Sequence, residues 1–134
     1  MKHEVDGRRE IASRNTAWAN IIARKLTGWG ITPNQISMMS VFFALAGCLL
    51  LTGTVIYPDF NKYVAYILFI VCMQSRLLCN LFDGMVAIEG GKKSANGDLY
   101  NDMPDRFADA LFIIPVGYVA GGFGIELGWL AALL

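Results

Sequence analysis

The residues of this chain whose types and spacing could do chemistry are Asn80, Asp83, Asn101 and Asp105, with Asp98, Asp102 and Asp109 close by. On a helix, Arg76, Asn80, Asp83 and Ala87 fall at i, i+4, i+7 and i+11, a single stripe. Asp98, Asp102, Asp105 and Asp109 carry the same 4-3-4 spacing, with Asn101 at the stripe's edge. Two antiparallel helices joined by a short loop would turn these stripes toward each other. The result would be a pocket lined by carboxylate and amide oxygens, with Lys92 and Lys93 near its mouth. Hard oxygen donors suit Mg²⁺, Mn²⁺ or Ca²⁺, and Mg²⁺ commonly shares such a site with substrate phosphates. No cluster of His or Cys accompanies them, which argues against zinc. Gly84 beside Asp83 and Ala87 one turn on would leave a slot against the helix backbone, although small residues serve helix packing equally well. The competing reading of Asp83 and Asp105 is capping plus an ion pair to Arg76, Lys92 or Arg106. For Asp109 it is a pair with Arg106.

The elements that must hold these groups are strongly apolar. Over half of the 134 residues are apolar, unusual for a soluble domain of this size. Ile36 to Tyr57 carries no charge and exceeds the ~20 residues that cross a bilayer. Tyr63 to Phe82 is a second such run, interrupted late by Gln74, Ser75 and Arg76. Ala110 to Leu134 is a third, broken by Pro115, Glu126 and the glycines from Gly117 to Gly128. Buried core helices of a soluble protein are the bland alternative, but the first run offers no polar face. The sequence therefore predicts an all-α integral membrane protein with spanning helices over residues 33–57, 62–88 and 99–124 and room for part of a fourth. Thr32-Pro33 supplies a cap and a first-turn proline for the first of these. Pro104 should fall in the first turn of the third, or kink it. Ahead of them, a charged tail over 1–12 should fray, and Trp18, Ile21, Ile22 and Leu26 predict an amphipathic interfacial helix over 13–27, ended by Gly28 and Gly30.

Net charge is zero, yet residues 1–35 hold six Lys and Arg, and Lys92, Lys93 and Arg106 cluster around the second connection. The short connection at 58–62 holds one Lys. Positive charge stays on the cytoplasmic side, so the N-terminus and the candidate site are expected at the cytoplasmic face of a bacterial-type inner membrane. The first 30 residues do not read as a signal peptide. Cys48, Cys72 and Cys79 all lie in apolar runs, which suits small buried hydrophobes better than a disulfide framework. Nucleic acid is not among the expected partners.

Read together, Asn80, Asp83, Gly84, Ala87, Gly97, Asn101 and Asp105 resemble the signature of the CDP-alcohol phosphatidyltransferases, D-x2-D-G-x2-A-R-x8-G-x3-D-x3-D, with its spacing kept throughout. Ile31-Thr32-Pro33-Asn34-Gln35-Ile36-Ser37 also looks like that family's lead-in to its first spanning helix. The resemblance, over residues 14 to 120, implies an enzyme of phospholipid biosynthesis with a six-helix bundle and, typically, a homodimer. It implies transfer of a phosphoalcohol group from a CDP-alcohol such as CDP-diacylglycerol to an acceptor alcohol, with release of CMP and dependence on Mg²⁺ or Mn²⁺. It further implies that Asn80, Asp83, Asn101 and Asp105 hold metal, that Asp105 is also the general base, and that Gly84, Ala87 and Gly97 shape the cytidine pocket. Lys92 and Lys93 become candidates for phosphate.

The departures are chemical. Asn80 and Asn101 keep an oxygen where the signature has Asp but remove two negative charges. Asp98 or Asp102 is expected to restore part of that charge. Ile88 stands in place of the signature's arginine. The length leaves room for three spanning helices and the start of a fourth, so a truncated reading frame is the expectation. A relative that binds a nucleotide, lipid headgroup or cation without turnover is the alternative, and a structural membrane subunit the third reading.

Overall fold

The computed structural model of the chain describes residues 16–89 and 97–134, and among them every regular element is a helix. The order is α1 (Ala17–Gly28), α2 (Pro33–Ile56), α3 (Lys62–Glu89), α4 (Gly97–Ala120) and α5 (Phe123–Leu133). The expected tail over 1–12 and the first residues of the amphipathic segment lie outside the described residues.

Local sequence explains most boundaries. Gly30 at φ 75° ends α1 by adopting the left-handed backbone that glycine tolerates best. Thr32 and Gln35 then form a reciprocal capping box: the Thr32 hydroxyl accepts from the Gln35 N–H, and the Gln35 side chain accepts from the Thr32 N–H. Pro33 in the first turn costs nothing because its missing N–H would have had no partner there. The Asn61 side chain accepts from the Val64 N–H at the head of α3.

α2 is the central element, packed on both α3 and α4, while α1 rests on α3 and α5 folds back on α4. Its buried residues Ser37, Ser40, Ala44, Gly47, Leu51 and Thr54 recur every three or four positions. This corrects the expectation that the first apolar run has no polar face. The inward stripe is built of small and hydroxylated residues, and the bulky apolar side chains Met38, Met39, Phe42 and Leu49 point outward. The buried hydroxyls are satisfied within the helix, Ser40 donating to the Ser37 carbonyl and Thr54 to the Leu51 carbonyl. Such an inside-out pattern is that of helices meeting through small residues. Gly47 makes the central contact possible, since a Cβ there would stand 2.7 Å from the Phe112 ring. Phe112 in turn packs edge-on against Phe69, with centroids 5.4 Å apart, in a core shared with Ala44, Leu51 and Ala108.

The third long helix departs from expectation. α4 begins at Gly97, so of the two expected arrangements Pro104 does not take the first-turn one but lies two turns inside the helix, and Pro115 lies inside as well. Each proline removes one intrahelical hydrogen bond, a loss that packed neighbouring helices make tolerable. The helix ends at Ala120, short of residue 124, because Gly121 and Gly122 take positive φ. The reversal lets α5 approach closely: a Cβ on Gly117 would be 2.6 Å from the Gly124 carbonyl oxygen and 3.1 Å from the Gly128 Cα. Glycine at both faces of this hairpin is a requirement of packing.

α2 and α3 are each long and apolar enough to cross a membrane. α4, whose first half carries three acidic residues and Arg106, does not meet that standard along its length among the described residues.

Candidate functional site

The inward stripe of α3 continues from Ala65 and Phe69 in the core to Arg76, Asn80 and Asp83, so the polar cluster sits on top of the aromatic layer. Asp83 is 3% exposed. Ser37 of α2 donates to Asp83 Oδ2 at 3.2 Å and also lies 3.2 Å from the Pro33 carbonyl. This contact across two helices is one that sequence reasoning missed. The signal was available: Ser37 and Ser40 are hydroxylated residues three apart at the head of an otherwise apolar helix.

α4 brings Asp105 to the same cluster. Asn80, Asp83 and Asp109 all lie close enough to the Asp105 carboxyl to act on it electrostatically. Two oxygens in this group, Asn80 Oδ1 and Asp105 Oδ1, are buried and accept no hydrogen bond. Asp105 Oδ1 nonetheless lies 3.7 Å from an Arg76 guanidinium nitrogen, and Arg76 Nε is a buried donor of the same cluster that makes no hydrogen bond.

Arg76 is the second feature that the spacing did not rank. Its side chain is only 8% exposed, and one guanidinium nitrogen lies 2.9 Å from Asp109 Oδ1, 3.7 Å from Asp105 Oδ1 and 3.2 Å from the Asp105 carbonyl oxygen. A buried guanidinium is tolerable only when paired, and here two carboxylates and a carbonyl surround it. Asp109 therefore pairs with Arg76, correcting the expected pair with Arg106. Arg106 instead takes Asp102, at 3.2 Å, with both side chains well exposed. Asp102 is thus turned away from the pocket by a neighbour four residues on, the geometry that favours local pairing. It does not restore charge at the site.

Gly84 and Ala87 are half-buried on α3, and Ile88 is exposed. Gly97 opens α4. Lys92 and Lys93 lie outside the described residues, as do the side chains of Asp98 and Asn101. Asp83, Asp105 and Asn80 bring hard oxygen donors to the cluster, although no group of three Asp, Glu, His or Cys side chains placed to hold a metal ion occurs among the described residues. Beside the cluster, an open groove of about 850 Å³ runs between α2 and α3, past Leu26, Ile31, Met38, Phe42, Leu78 and Phe82, with Asn34 and Gln35 at one end. In comparisons with known proteins, no family model, no curated protein and no solved structure matches this chain.

Proposed function

We propose that the chain is an integral membrane phosphotransferase that moves a phosphoalcohol group from a CDP-alcohol, such as CDP-diacylglycerol, to an acceptor alcohol and releases CMP. The observation that carries this reading is the meeting of Asn80, Asp83 and Asp105, from two separate helices, in the order and spacing of the CDP-alcohol phosphatidyltransferase signature. Membrane residence is supported by the exposure of the apolar helices: only 28% and 17% of their most apolar windows are buried. A core helix of a soluble protein would be mostly covered. The exposed Trp18, Ile21 and Trp29 of α1 and its turn suit the headgroup layer, while Ala19 and Ala23 lie against Met85. The basic N-terminal stretch and the Lys92–Lys93 segment support a cytoplasmic position for the site.

In this reading Asp105 takes the proton of the acceptor hydroxyl as its oxygen bonds to phosphorus. The bond from that phosphorus to the CMP oxygen breaks, and CMP leaves with the electron pair. A bound Mg²⁺ or Mn²⁺ would neutralise charge on the diphosphate. Asp83, held by Ser37, Asn80 and Asp105 would be the chain's own ligands for it, with Asn101 the fourth candidate. The groove between α2 and α3, apolar along its length and polar at one end, suits an acyl chain of the donor.

The test is CMP release from CDP-diacylglycerol and a panel of acceptor alcohols by the chain in detergent or liposomes. Release that needs Mn²⁺ or Mg²⁺ and stops with chelator is expected. Binding of the donor without release would favour the second reading, a non-catalytic relative, for which the clamp of Arg76 on Asp105 and Asp109 speaks. Absence of both would remove the proposal.

A further inference from the structure

We infer that Arg76 is a positioning residue: it ties α3 to α4 at Asp105 and holds that residue opposite Asn80 and Asp83. The inference rests on the functional reading above and deepens it.

The need for a tie follows from the packing. α3 and α4 both lie against α2 and scarcely meet each other directly among the described residues. Asn80 and Asp83 belong to α3 and Asp105 to α4, so their separation is set across a seam with little backbone packing of its own. The helix ladder of α4 is also weakened at this level, because Pro104, the residue before Asp105, brings no N–H to it. Arg76, one turn before Asn80 on the same stripe of α3, reaches across that seam.

The form of the grip is the second argument. One guanidinium nitrogen lies 2.9 Å from Asp109 Oδ1 and 3.2 Å from the Asp105 carbonyl oxygen, both within hydrogen-bond length, whereas Asp105 Oδ1 stands off at 3.7 Å. Arg76 thus grips the Asp105 backbone and the acidic residue one turn further along α4. It fixes where the Asp105 carboxylate stands without hydrogen-bonding it. The Asp105 side chain keeps 30% exposure, while that of Arg76, at 8%, is buried behind it and acts through it. Arg suits this part because it stays protonated and spreads its donors over several oxygens. Displacing a base by about 1 Å can cost about a hundredfold in rate, so a tie at this place bears on turnover.

The experiment is steady-state CMP release by the full chain in liposomes, with Mn²⁺ present and CDP-diacylglycerol varied. The acceptor is whichever alcohol of the panel above gives the fastest release. Arg76→Gln should lower kcat at least about tenfold and leave KM for CDP-diacylglycerol within about twofold. Added to Asp105→Asn, the same change should cost less than about twofold, since a residue that acts only through Asp105 then has nothing to act on. A merely structural tie would lower the rate by the same factor in both backgrounds. If Arg76→Gln loses its helical circular dichroism, Asp109→Asn serves in its place by loosening the grip from its exposed side. A fall in kcat of at least about threefold, absent in the Asp105→Asn background, is then expected. An unchanged kcat in the folded variant, or equal factors in the two backgrounds, overturns the inference and leaves the functional reading standing. No CMP release from the native chain removes that reading and the inference with it.

Discussion

The Ser37 hydroxyl on α2 holds Asp83 Oδ2 on α3 at 3.2 Å, and both residues are almost wholly buried. The contact fixes one carboxylate oxygen of the candidate site from a helix that carries no other residue of it. Ser37→Ala removes that donor while Asp83 keeps its burial. A stability loss of about 1–2 kcal/mol is expected, read as a lowered melting temperature in detergent. Ser37→Thr, which restores the hydroxyl, should recover most of it. An unchanged melting temperature for the alanine variant would show that Asp83 does not depend on this bond.

Arg76 and Arg106 make a matched pair for testing burial. Arg76→Leu leaves Asp105 and Asp109 facing each other without their cation. Fully buried pairs lose about 3–5 kcal/mol on such a change, and the exposure of Asp109 should bring this one to about 2–3 kcal/mol. Arg106→Ala breaks only an exposed pair with Asp102 and should stay within about 0.5 kcal/mol. Equal losses in the two variants would contradict the burial argument.

Activity should separate the acidic residues of α4. Asp105→Asn and Asp83→Asn are expected to lower metal-dependent CMP release at least a hundredfold. Asp102→Asn should remain within about twofold of the native rate, because Asp102 faces out and pairs with Arg106. A loss at Asp102 as deep as that at Asp83 would return it to the pocket and undo the assignment.

The α4–α5 hairpin depends on having no side chain at Gly117. Gly117→Val would drive a branched side chain into the Gly124 carbonyl and the Gly128 Cα. A cost of at least about 1–3 kcal/mol is expected, seen as earlier thermal unfolding and faster proteolysis near Gly121–Gly122. Gly28→Ala meets open space at its Cβ and should leave both measurements nearly unchanged.

Membrane residence has its own check. If α2 and α3 span a bilayer, the chain stays with membranes after alkaline carbonate extraction, and cysteines placed at exposed Leu49 or Ile67 resist water-soluble thiol reagents. Extraction of the chain into the soluble fraction would refute the spanning reading.

The sequence by itself determined where α2 and α3 start and which residue types could do chemistry. Thr32-Pro33 marked the head of α2, the apolar runs marked α2 and α3, and the spacing of Asn80, Asp83 and Asp105 marked the candidate cluster. These are local properties, since capping, hydropathy and helical periodicity act within a few turns of chain. Partner choice was different. Whether Asp109 meets Arg76 or Arg106, and whether Asp102 faces the pocket or solvent, depends on the rotation and offset of α3 against α4, which one strand of sequence does not encode in its own periodicity. The same holds for Ser37, brought to Asp83 only because α2 lies between the other two helices. Small residues along α2 and in the α4–α5 hairpin set how closely the backbones approach, and that approach is decided by packing between elements, after each helix has already formed.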